Sequence, residues 1–277
     1  MTDRKLIFLD IDGTLVMPGK QVSDLTRRAI SAARAKGHRV FLCTGRAISF
    51  LPPELSLETF DGGIFSAGAY VLSGGRLLLD KPLPETMRLR ITAVLEEAGV
   101  YFNYETAQGS FACDRPMVRL EEAEQAQASS EVLRVLEMLK RFPQKSLGDY
   151  RGEPVYKISF RVESLERGAL LRDALPEAHV VLFENPGFGL PFFGGEASAP
   201  GVTKATAMDL LCRQLGCTRA DCIAFGDSMN DAEILRAAGL GIAMGNAEPA
   251  VKALADSVCE SCSEDGVART LDRLGLT

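Results

Sequence analysis

Short apolar runs alternate with amphipathic segments near both ends of this chain, and this alternation constrains the fold more than any other feature. Residues 6–10 (LIFLD) form an uninterrupted apolar run, which is typical of a strand buried on both faces. A helical spacing of apolar residues then extends from Ser23, a predicted N-cap, to Gly37. Residues 39–45 (RVFLCTG) are a second apolar run. Strand, helix and strand at this spacing form a βαβ unit, so the pattern predicts an α/β fold with a parallel sheet.

The last third of the chain repeats this alternation. Each apolar run is followed by a segment with helical spacing, as expected for further βαβ units. The predicted strands are 222–227 and 241–244, and the predicted helices are 204–216, 231–239, 247–255 and 264–275.

The middle of the chain has a different character, which predicts an inserted domain. Two long helical patterns precede two strand patterns there, and prolines cluster at both ends of the segment, as they often do in linkers. With roughly 150 residues per domain, 277 residues also favour two domains. We expect an α/β domain from 1–81 and 192–277 and an α+β domain from 82–191. The predicted elements of the insertion are helices 84–98 and 117–141 and strands 155–163 and 180–185.

Composition and charge exclude several classes of protein. The net charge of −6 and a pI near 5.2 argue against a nucleic-acid partner, because proteins that bind nucleic acids usually have a basic surface. No apolar run approaches the roughly 18–20 residues of a membrane span, and the N-terminal apolar stretch is too short for a signal peptide. We therefore expect a cytoplasmic protein without a membrane or nucleic-acid partner, as a monomer or weak homo-oligomer.

Seven cysteines, an odd number in a chain without an export signal, are expected to be reduced thiols. Cys259 and Cys262 have CxxC spacing, which leaves a metal or redox role open. Zinc ribbons usually place two such pairs about 15–20 residues apart, and this chain has one pair. A structural or incidental role is the simpler interpretation.

A pair of aspartates directly follows the first apolar run. In DIDGT (residues 10–14), Asp10 and Asp12 are two residues apart, so in an extended chain their side chains point the same way. Two such carboxylates repel each other, and a cation or a shared proton would relieve the repulsion. Ligands of parallel sheets bind at this end of the strands. The segment indicates either a functional carboxylate pair or a simple Asp-Gly turn, and its spacing does not match an EF-hand calcium loop.

Two further features belong to the same edge of the predicted sheet. In CTGR (43–46), the Thr44 hydroxyl and the following backbone amides could bind an anion of phosphate size, although a Thr-Gly turn is the simpler interpretation. Lys204 begins a predicted helix and matters only because it could bring positive charge to this edge.

The segment GDSMND (226–231) follows a strand in the last third. It brings together Asp227, Asn230 and Asp231, and oxygen-bearing side chains of this kind fit a hard cation. Capping of the next helix, with an acidic residue at its positive end, explains the same residues equally well.

In combination, these segments resemble the four signature motifs of the haloacid dehalogenase-like hydrolase superfamily. DIDGT is similar to its first motif, Thr44 within TGR to its second, Lys204 to its third and GDSMND to its fourth. The most similar subgroup is the Cof-type sugar-phosphatase-like hydrolases, whose later motifs resemble GIAMGNA (241–247) and EDGVA (264–268). This resemblance implies a Rossmann-like parallel-sheet core with an inserted α+β cap domain that selects the substrate.

The resemblance also implies a role for each matching residue. Asp10 would be the nucleophile that forms an aspartyl-phosphate, and Asp12 would be the general acid and base. Mg²⁺ would be bound by the side chains of Asp10 and Asp227 and by the backbone carbonyl of Asp12, while Asp231 would orient a metal-bound water. The phosphoryl group would be bound by Thr44, Gly45, Arg46, Lys204 and Asn230.

The activity implied is that of a Mg²⁺-dependent phosphatase acting on a small phosphorylated metabolite, either a sugar phosphate or a phosphorylated cofactor. Asp12 favours phosphate-ester hydrolysis, because members of the superfamily that cleave carbon–halogen or phosphonate bonds lack it. A phosphotransferase or phosphomutase and a non-catalytic sensor of a phosphorylated ligand are the alternatives.

The chain departs from the family pattern at two positions. Ala67 occupies the place of a common asparagine in the segment SAGA (66–69), and Ala205 follows the lysine in place of a common glycine. Neither change removes a catalytic group, but we expect Ala67 to alter substrate contacts. Candidate substrate contacts within the inserted domain are Tyr150, Arg151, Asn185 and Phe188.

Overall fold

The computed structural model describes residues 4–17, 20–115, 144–183 and 193–277. The predicted helix over 117–141 and the end of the predicted strand 180–185 lie outside these residues. In chain order, the strands are β1 (Leu6–Leu9), β2 (Arg39–Cys43), β3 (Gly62–Phe65), β4 (Tyr70–Ser73), β5 (Arg76–Asp80), β6 (Tyr101–Thr106), β7 (Gly109–Ala112), β8 (Lys145–Ser146), β9 (Val155–Val162), β10 (His179–Leu182), β11 (Phe193–Ser198), β12 (Cys222–Gly226), β13 (Leu240–Ala243) and β14 (Ser257–Val258).

The helices predicted within the described residues are present with differences at their ends, whereas the helix over Leu165–Asp173 was not predicted. The segment predicted as a helix over 247–255 is helical only from Pro249 to Lys252, and that predicted over 231–239 begins with a 3-10 turn. None of the described helices is both long enough and apolar enough for a membrane span. The described helices are α1 (Asp24–Ala35), α2 (Glu85–Ala98), α3 (Leu165–Asp173), α4 (Lys204–Leu215), α5 (Ala232–Ala237), α6 (Pro249–Lys252) and α7 (Gly266–Arg273).

An eight-stranded sheet in the order β14-β13-β12-β1-β2-β3-β4-β5 is the centre of one part of the chain. From β14 to β3 neighbouring strands are parallel, which confirms the predicted α/β fold. The sequence patterns did not predict β4 and β5, which extend the sheet as antiparallel strands. Apolar residues of β1 and β2 are fully buried, and the rings of Phe8 and Phe41 stack at 5.5 Å, as expected for strands covered on both faces.

A separate six-stranded sheet lies in the middle of the chain, in the order β10-β11-β9-β6-β7-β8. Its neighbours are antiparallel except for β7 and β8, and the helices α2 and α3 contact β9. Helices and antiparallel strands in one segment are consistent with the α+β composition that the sequence predicts for this region.

The chain divides into two compact units, and their boundaries differ from the predicted ones. The first unit comprises Met1–Arg46, Leu51–Asp80 and Val202–Thr277, and the second comprises Ala47–Phe50 and Lys81–Gly201. The second unit therefore extends ten residues past the expected end at 191, because β11 pairs with both β9 and β10 of the six-stranded sheet.

The topology of the eight-stranded sheet brings three of the polar segments together. Strands β12, β1 and β2 are direct neighbours and run parallel, so their carboxyl ends share one edge. Asp10 and Thr44 follow β1 and β2 directly, and Asp227 follows β12. These residues are far apart in the sequence and close in the first unit.

Candidate active site

Lys204 is at the centre of a buried cluster of polar side chains. Its Nζ lies 2.9 Å from Oδ1 of Asp10, 2.5 Å from Oδ1 of Asp231 and 3.2 Å from Oδ1 of Asn230. The side chains of Lys204, Asp10 and Asp231 are almost completely excluded from solvent. The lysine that carried little information in the sequence therefore joins the first and fourth motifs.

The start of α4 fixes the position of this lysine. Thr203 is the N-cap, its hydroxyl accepts from the backbone N–H of Thr206, and the Thr206 hydroxyl accepts from the Thr203 N–H. A lysine in the first turn faces the positive end of the helix dipole, which is unfavourable. The two carboxylates that pair with Lys204 offset this repulsion, so its placement depends on the site.

Asp231 also organises the turn that carries Asp227. Its Oδ2 accepts hydrogen bonds from the backbone N–H groups of Asp227 and Ser228, at 3.1 and 3.3 Å. A side chain at Gly226 would collide with the Asp231 carboxyl group. One oxygen of Asp231 thus holds the turn while the other pairs with Lys204, and the binding of a cation by GDSMND stays a prediction.

Asp227 lies against the turn that follows Asp10. The Thr14 hydroxyl donates to Oδ1 of Asp227 at 3.3 Å, a contact that the sequence analysis missed although Thr14 belongs to the DIDGT segment. Gly13 has a φ of 75°, and a Cβ placed there would lie 2.2 Å from Oδ2 of Asp227. Only glycine combines this left-handed conformation with so close an approach.

Burial and mutual repulsion disfavour the ionised forms of Asp10 and Asp227. Desolvation raises the pKa of Asp10 well above its usual range, against the opposing effect of Lys204, and the neighbouring carboxylates raise it further. Burial raises the pKa of Asp227 to about 7, with a contribution from Asp231. For Lys204, burial disfavours the charged form, but Asp10 and Asp231 raise its pKa well above the usual range.

The same carboxylates form a donor set for a metal ion. Oxygen atoms of Asp10, Asp227 and Asp231 lie within 4.8 Å of one another, and among the described residues this is the one group of three or more His, Cys, Asp or Glu side chains so arranged. Lys204 pairs with two of the three, Asp10 and Asp231, so three acidic groups share one paired ammonium group. Hard oxygen donors of this kind fit a hard divalent cation such as Mg²⁺.

Asp12 is not one of the three clustered carboxylates and pairs with Arg46. The guanidinium Nε lies 2.7 Å from Oδ2 of Asp12, and Nη2 lies 2.6 Å from Oδ1, which is a bidentate arrangement. The Asp12 side chain is 54% exposed, whereas Asp10 is buried. Adjacent carboxylates therefore have opposite environments, and the predicted contact of Arg46 with phosphate stays a prediction.

Thr44, Gly45 and Asn230 line the edge beside this cluster. Thr44 is buried, and its hydroxyl accepts from the backbone N–H of Arg46 at 3.1 Å. A Cβ at Gly45 would lie 3.5 Å from Nδ2 of Asn230, so these two predicted residues are neighbours. The Asn230 amide oxygen also accepts from the Ser228 hydroxyl at 2.9 Å, which is consistent with an amide nitrogen that faces Gly45.

Asn246 is a residue of the quoted GIAMGNA segment to which the sequence analysis gave no role. Its Nδ2 donates to the carbonyl oxygen of Gly13, and its Oδ1 accepts from the backbone N–H of Cys262, both at 2.8 Å. The side chain thus connects the turn after Asp10 to a segment close to the C-terminus. The GIAMGNA motif was the signal in the sequence that could have drawn attention to Asn246. Its role could not be read there because its hydrogen-bond partners are distant in the chain.

Ala67 has a backbone conformation that explains the common asparagine at its position. Its φ and ψ are 55° and 24°, and the preceding Ser66 has a φ of 49°. These values lie in the left-handed region, which asparagine tolerates better than alanine. The backbone therefore provides a reason for asparagine that is independent of any substrate contact.

Replacing Ala67 by asparagine is expected to raise the free energy of unfolding by about 0.5–1 kcal/mol, because the left-handed conformation is less strained in asparagine. Urea denaturation measures this change. Ala67→Gly should also be tolerated, whereas the β-branched Ala67→Val should destabilise the protein. A stability loss in the asparagine variant would contradict the backbone explanation.

The expected substrate contacts of the inserted region have structural roles where they are described. The Tyr150 ring lies 5.2 Å from that of Tyr104 and 5.5 Å from that of Phe111, and its hydroxyl donates to Glu153. Arg151 donates to carbonyl oxygens of its own loop. The remaining two candidates, Asn185 and Phe188, lie outside the described residues.

One member of the CxxC pair, Cys259, is part of the packed core. Cys259 is buried, and its sulfur lies 3.5 Å from the Met244 sulfur. Neither Cys259 nor Cys262 belongs to a described group of metal-ligand side chains, and all seven cysteines are free thiols.

Comparison with known proteins identifies relatives over nearly the whole chain. A family model described as haloacid dehalogenase-like hydrolase matches residues 7–271. The chain is 29% identical to the putative phosphatase YkrA of Bacillus subtilis (strain 168), covering 99% of both chains. It is also 29% identical to the HMP-PP phosphatase of Cronobacter sakazakii, covering 95% of this chain and 92% of the relative.

A solved structure agrees with these matches. The sugar phosphatase BT4131, described as a subclass IIB member of the same superfamily, superimposes with a TM-score of 0.80. It is 26% identical to this chain, and the match covers 99% of this chain and 100% of that structure.

Proposed function

Because this chain is a haloacid dehalogenase-like hydrolase and a phosphatase, we propose that it hydrolyses phosphate esters of small metabolites through an aspartyl-phosphate on Asp10. The observation that supports this most directly is the buried convergence of Asp10, Asp227, Asp231 and Lys204 at the end of three parallel strands. Relatives named as phosphatases of a ribitylaminouracil phosphate, of HMP-PP and of sugars favour a sugar phosphate or a phosphorylated cofactor as substrate.

Asp10 attacks phosphorus, and the ester oxygen leaves, so that one difficult hydrolysis is divided into two easier steps. Lys204 pairs with Oδ1 of Asp10, which balances the charge of the nucleophile before attack and that of the transferring oxygens during it. The Thr44 hydroxyl, the Gly45 backbone and the Asn230 amide bind the phosphoryl oxygens from the same edge of the sheet.

Asp12 donates a proton to the leaving oxygen and later accepts one from the attacking water. In the structure its carboxylate is held by a bidentate pair with Arg46. Proton donation in the first step requires this pair to open, and the anionic phosphoryl group is a competing partner for the Arg46 guanidinium.

Asp10 and Asp227 would hold Mg²⁺ with their carboxylates, together with the Asp12 backbone carbonyl, while Asp231 would act from outside the ligand shell. When bound, the ion supplies positive charge that lets an anionic nucleophile approach an anionic phosphate.

Mg²⁺ is expected to raise the melting temperature more at about pH 8 than at about pH 5. The pKa of Asp227 is about 7 in the folded protein, and its ordinary value is 3.8. Between these two pH values the Asp227 carboxyl group is therefore more protonated in the folded state than in the unfolded state. The metal-free protein therefore loses stability as pH rises through this range, and Mg²⁺ must displace protons at the acid end. Thermal melts with Mg²⁺ or a chelator measure the difference.

The control for this measurement is Asp227→Asn, which should lose most of the Mg²⁺-dependent increase because one charged ligand is gone. An equal increase in melting temperature at both pH values would contradict a metal site built from these carboxylates.

Phosphate release from a panel of phosphorylated sugars and cofactors, with and without Mg²⁺, tests the proposed activity. We expect a few metabolites of one chemical class to be preferred, with loss of turnover on chelation. Borohydride reduction of protein that is turning over tests the intermediate, since an acyl phosphate on Asp10 is converted to homoserine. Sustained turnover without homoserine at position 10 would exclude the covalent route.

The same assay separates hydrolysis from phosphoryl transfer and from ligand sensing. Added acceptor sugars would divert the phosphoryl group in a phosphotransferase or phosphomutase, whereas a sensor would bind phosphorylated ligands without turnover. A phosphorylated sugar product in excess of free phosphate would favour transfer over the proposed hydrolysis.

The second unit is proposed to select the organic group of the substrate. It is inserted in the chain between β5 and α4 and has its own sheet, so it can vary without changing the strand ends that carry Asp10 and Asp227. A chimera with residues 81–201 replaced by the matching segment of the Cronobacter relative tests this. Its preference should change towards HMP-PP, while retention of the original preference would place selection in the first unit.

A further inference from the structure

A pair of buried thiols lies at the opposite end of α4 from the lysine. The Cys212 and Cys222 sulfur atoms are 3.2 Å apart, and these residues are 5% and 1% exposed. Cys212 is in the last turn of α4, and Cys222 is the first residue of β12. A disulfide needs the sulfurs to approach to about 2.05 Å, so a movement of about 1 Å separates this pair from bond formation.

The third thiol of this region has different neighbours. Cys217 is half-buried, its sulfur accepts a hydrogen bond from the Arg4 guanidinium at 3.3 Å, and it donates to the carbonyl of Leu215 at 3.6 Å. Cys222, by contrast, has its sulfur 3.2 Å from the Cys212 sulfur and 3.4 Å from the carbonyl oxygen of Thr218. Geometry therefore selects one pair among the three cysteines.

We propose that Cys212 and Cys222 are a site of reversible oxidation, at which a two-electron oxidant such as hydrogen peroxide produces an intramolecular disulfide. The thiolate of Cys212 attacks peroxide, forms a sulfenic acid and releases hydroxide. The Cys222 sulfur then attacks that sulfur, the S–S bond forms, and the hydroxyl group leaves as water with the thiol proton. Both electrons removed from the two thiols are accepted by the peroxide.

The electrostatics of the pair support this order of events. The hydrogen bond with Cys222 lowers the pKa of Cys212 in spite of burial. The same hydrogen bond and burial raise the pKa of Cys222. The more acidic thiol therefore reacts first with peroxide, and the proton that Cys222 retains is available to the hydroxyl group that leaves as water when the S–S bond forms.

The cross-link would join the far end of the helix that begins with Lys204 to the far end of the strand that leads to Asp227. Because Cys212 is in the last turn of α4 and Cys222 is the first residue of β12, both lie at the ends opposite the carboxylate cluster, and the bond should restrain the unfolded chain without moving the cluster. The oxidised protein is therefore expected to have a higher melting temperature and unchanged phosphatase activity.

Trypsin provides a sharp test on the wild-type protein, since it separates the three cysteines into different peptides. These are Ala205–Arg213, Gln214–Arg219 and Ala220–Arg236. Reduced folded protein is treated with hydrogen peroxide, quenched with acid, alkylated and digested for mass spectrometry. We expect a species that joins the first and third peptides, that disappears after reduction, and that also forms in Cys217→Ser.

Two results would overturn the proposal. One is a cross-link that includes the peptide of Cys217 in place of one partner. The other is oxidation of single thiols to sulfinic acid with no linked peptide in the folded protein. Melting of the oxidised and reduced forms provides an independent readout, and a lower melting temperature after cross-linking would show that the bond strains the fold and would also count against it.

Discussion

Replacing Asp10 by asparagine is expected to reduce phosphate release by at least about a thousandfold, because an amide cannot form the acyl phosphate. Steady-state turnover of the preferred metabolite, measured with saturating Mg²⁺, gives the size of the loss. Substrate binding should persist, since Lys204, Thr44 and Asn230 are unchanged, and it can be measured by calorimetry with the inactive variant.

The same substitution should leave the fold intact. Asparagine has nearly the volume of aspartate, and its amide oxygen can still accept a hydrogen bond from Lys204. It also removes one carboxyl group from a buried cluster of three, so the free energy of unfolding without metal should be equal or higher. Full activity in a folded Asp10→Asn protein would contradict the assignment of Asp10 as the nucleophile.

Replacing Lys204 by methionine is expected to have the largest effect on stability. The side chain fits a similar space, but Asp10 and Asp231 lose a buried partner at 2.9 and 2.5 Å. Removal of one member of a buried charge pair costs about 3–5 kcal/mol, because the remaining charge stays in a site of low polarity. Urea denaturation at about pH 7.5 in a chelating buffer measures this loss.

The loss should become smaller as pH falls, because burial raises the pKa of Asp10 and the protonated, neutral side chain no longer needs a charged partner. Lys36→Met is a matched control, since that exposed lysine makes a single contact with a carbonyl oxygen, and its effect should be within about 0.5 kcal/mol. A Lys204→Met protein as stable as the wild type at neutral pH would show that the cluster does not depend on the lysine.

The parts of the site that lie on strands could be predicted from the sequence. Asp10, Thr44 and Asp227 each follow a short apolar run, and the geometry of parallel sheets requires the carboxyl ends of such strands to meet at one edge. The predicted parallel sheet is confirmed for the same reason: continuous apolar runs separated by helices have few other ways to bury both faces.

The remainder depends on contacts between positions that no local pattern connects. Lys204 carries no local signal, and its meaning comes from carboxylates that lie far away in the chain. The pairing of Asp12 with Arg46 and the bridge that Asn246 makes to Gly13 likewise require the folded arrangement. The hairpin of β4 and β5 was missed although the sequence carries a signal for it, since Gly74 and Gly75 separate the apolar runs of YVLS and RLLLD.

The need for glycine at position 13 limits which substitutions the loops of this site can accept. Any Cβ at that position would enter the space of the Asp227 carboxylate, while the positive φ would strain its backbone. The loops after β1 and β12 are therefore complementary in shape at this point, although most of the sequence separates them. In a saturation library at position 13, we expect glycine to be the one residue recovered among active clones, and a change in one loop to need a compensating change in the other.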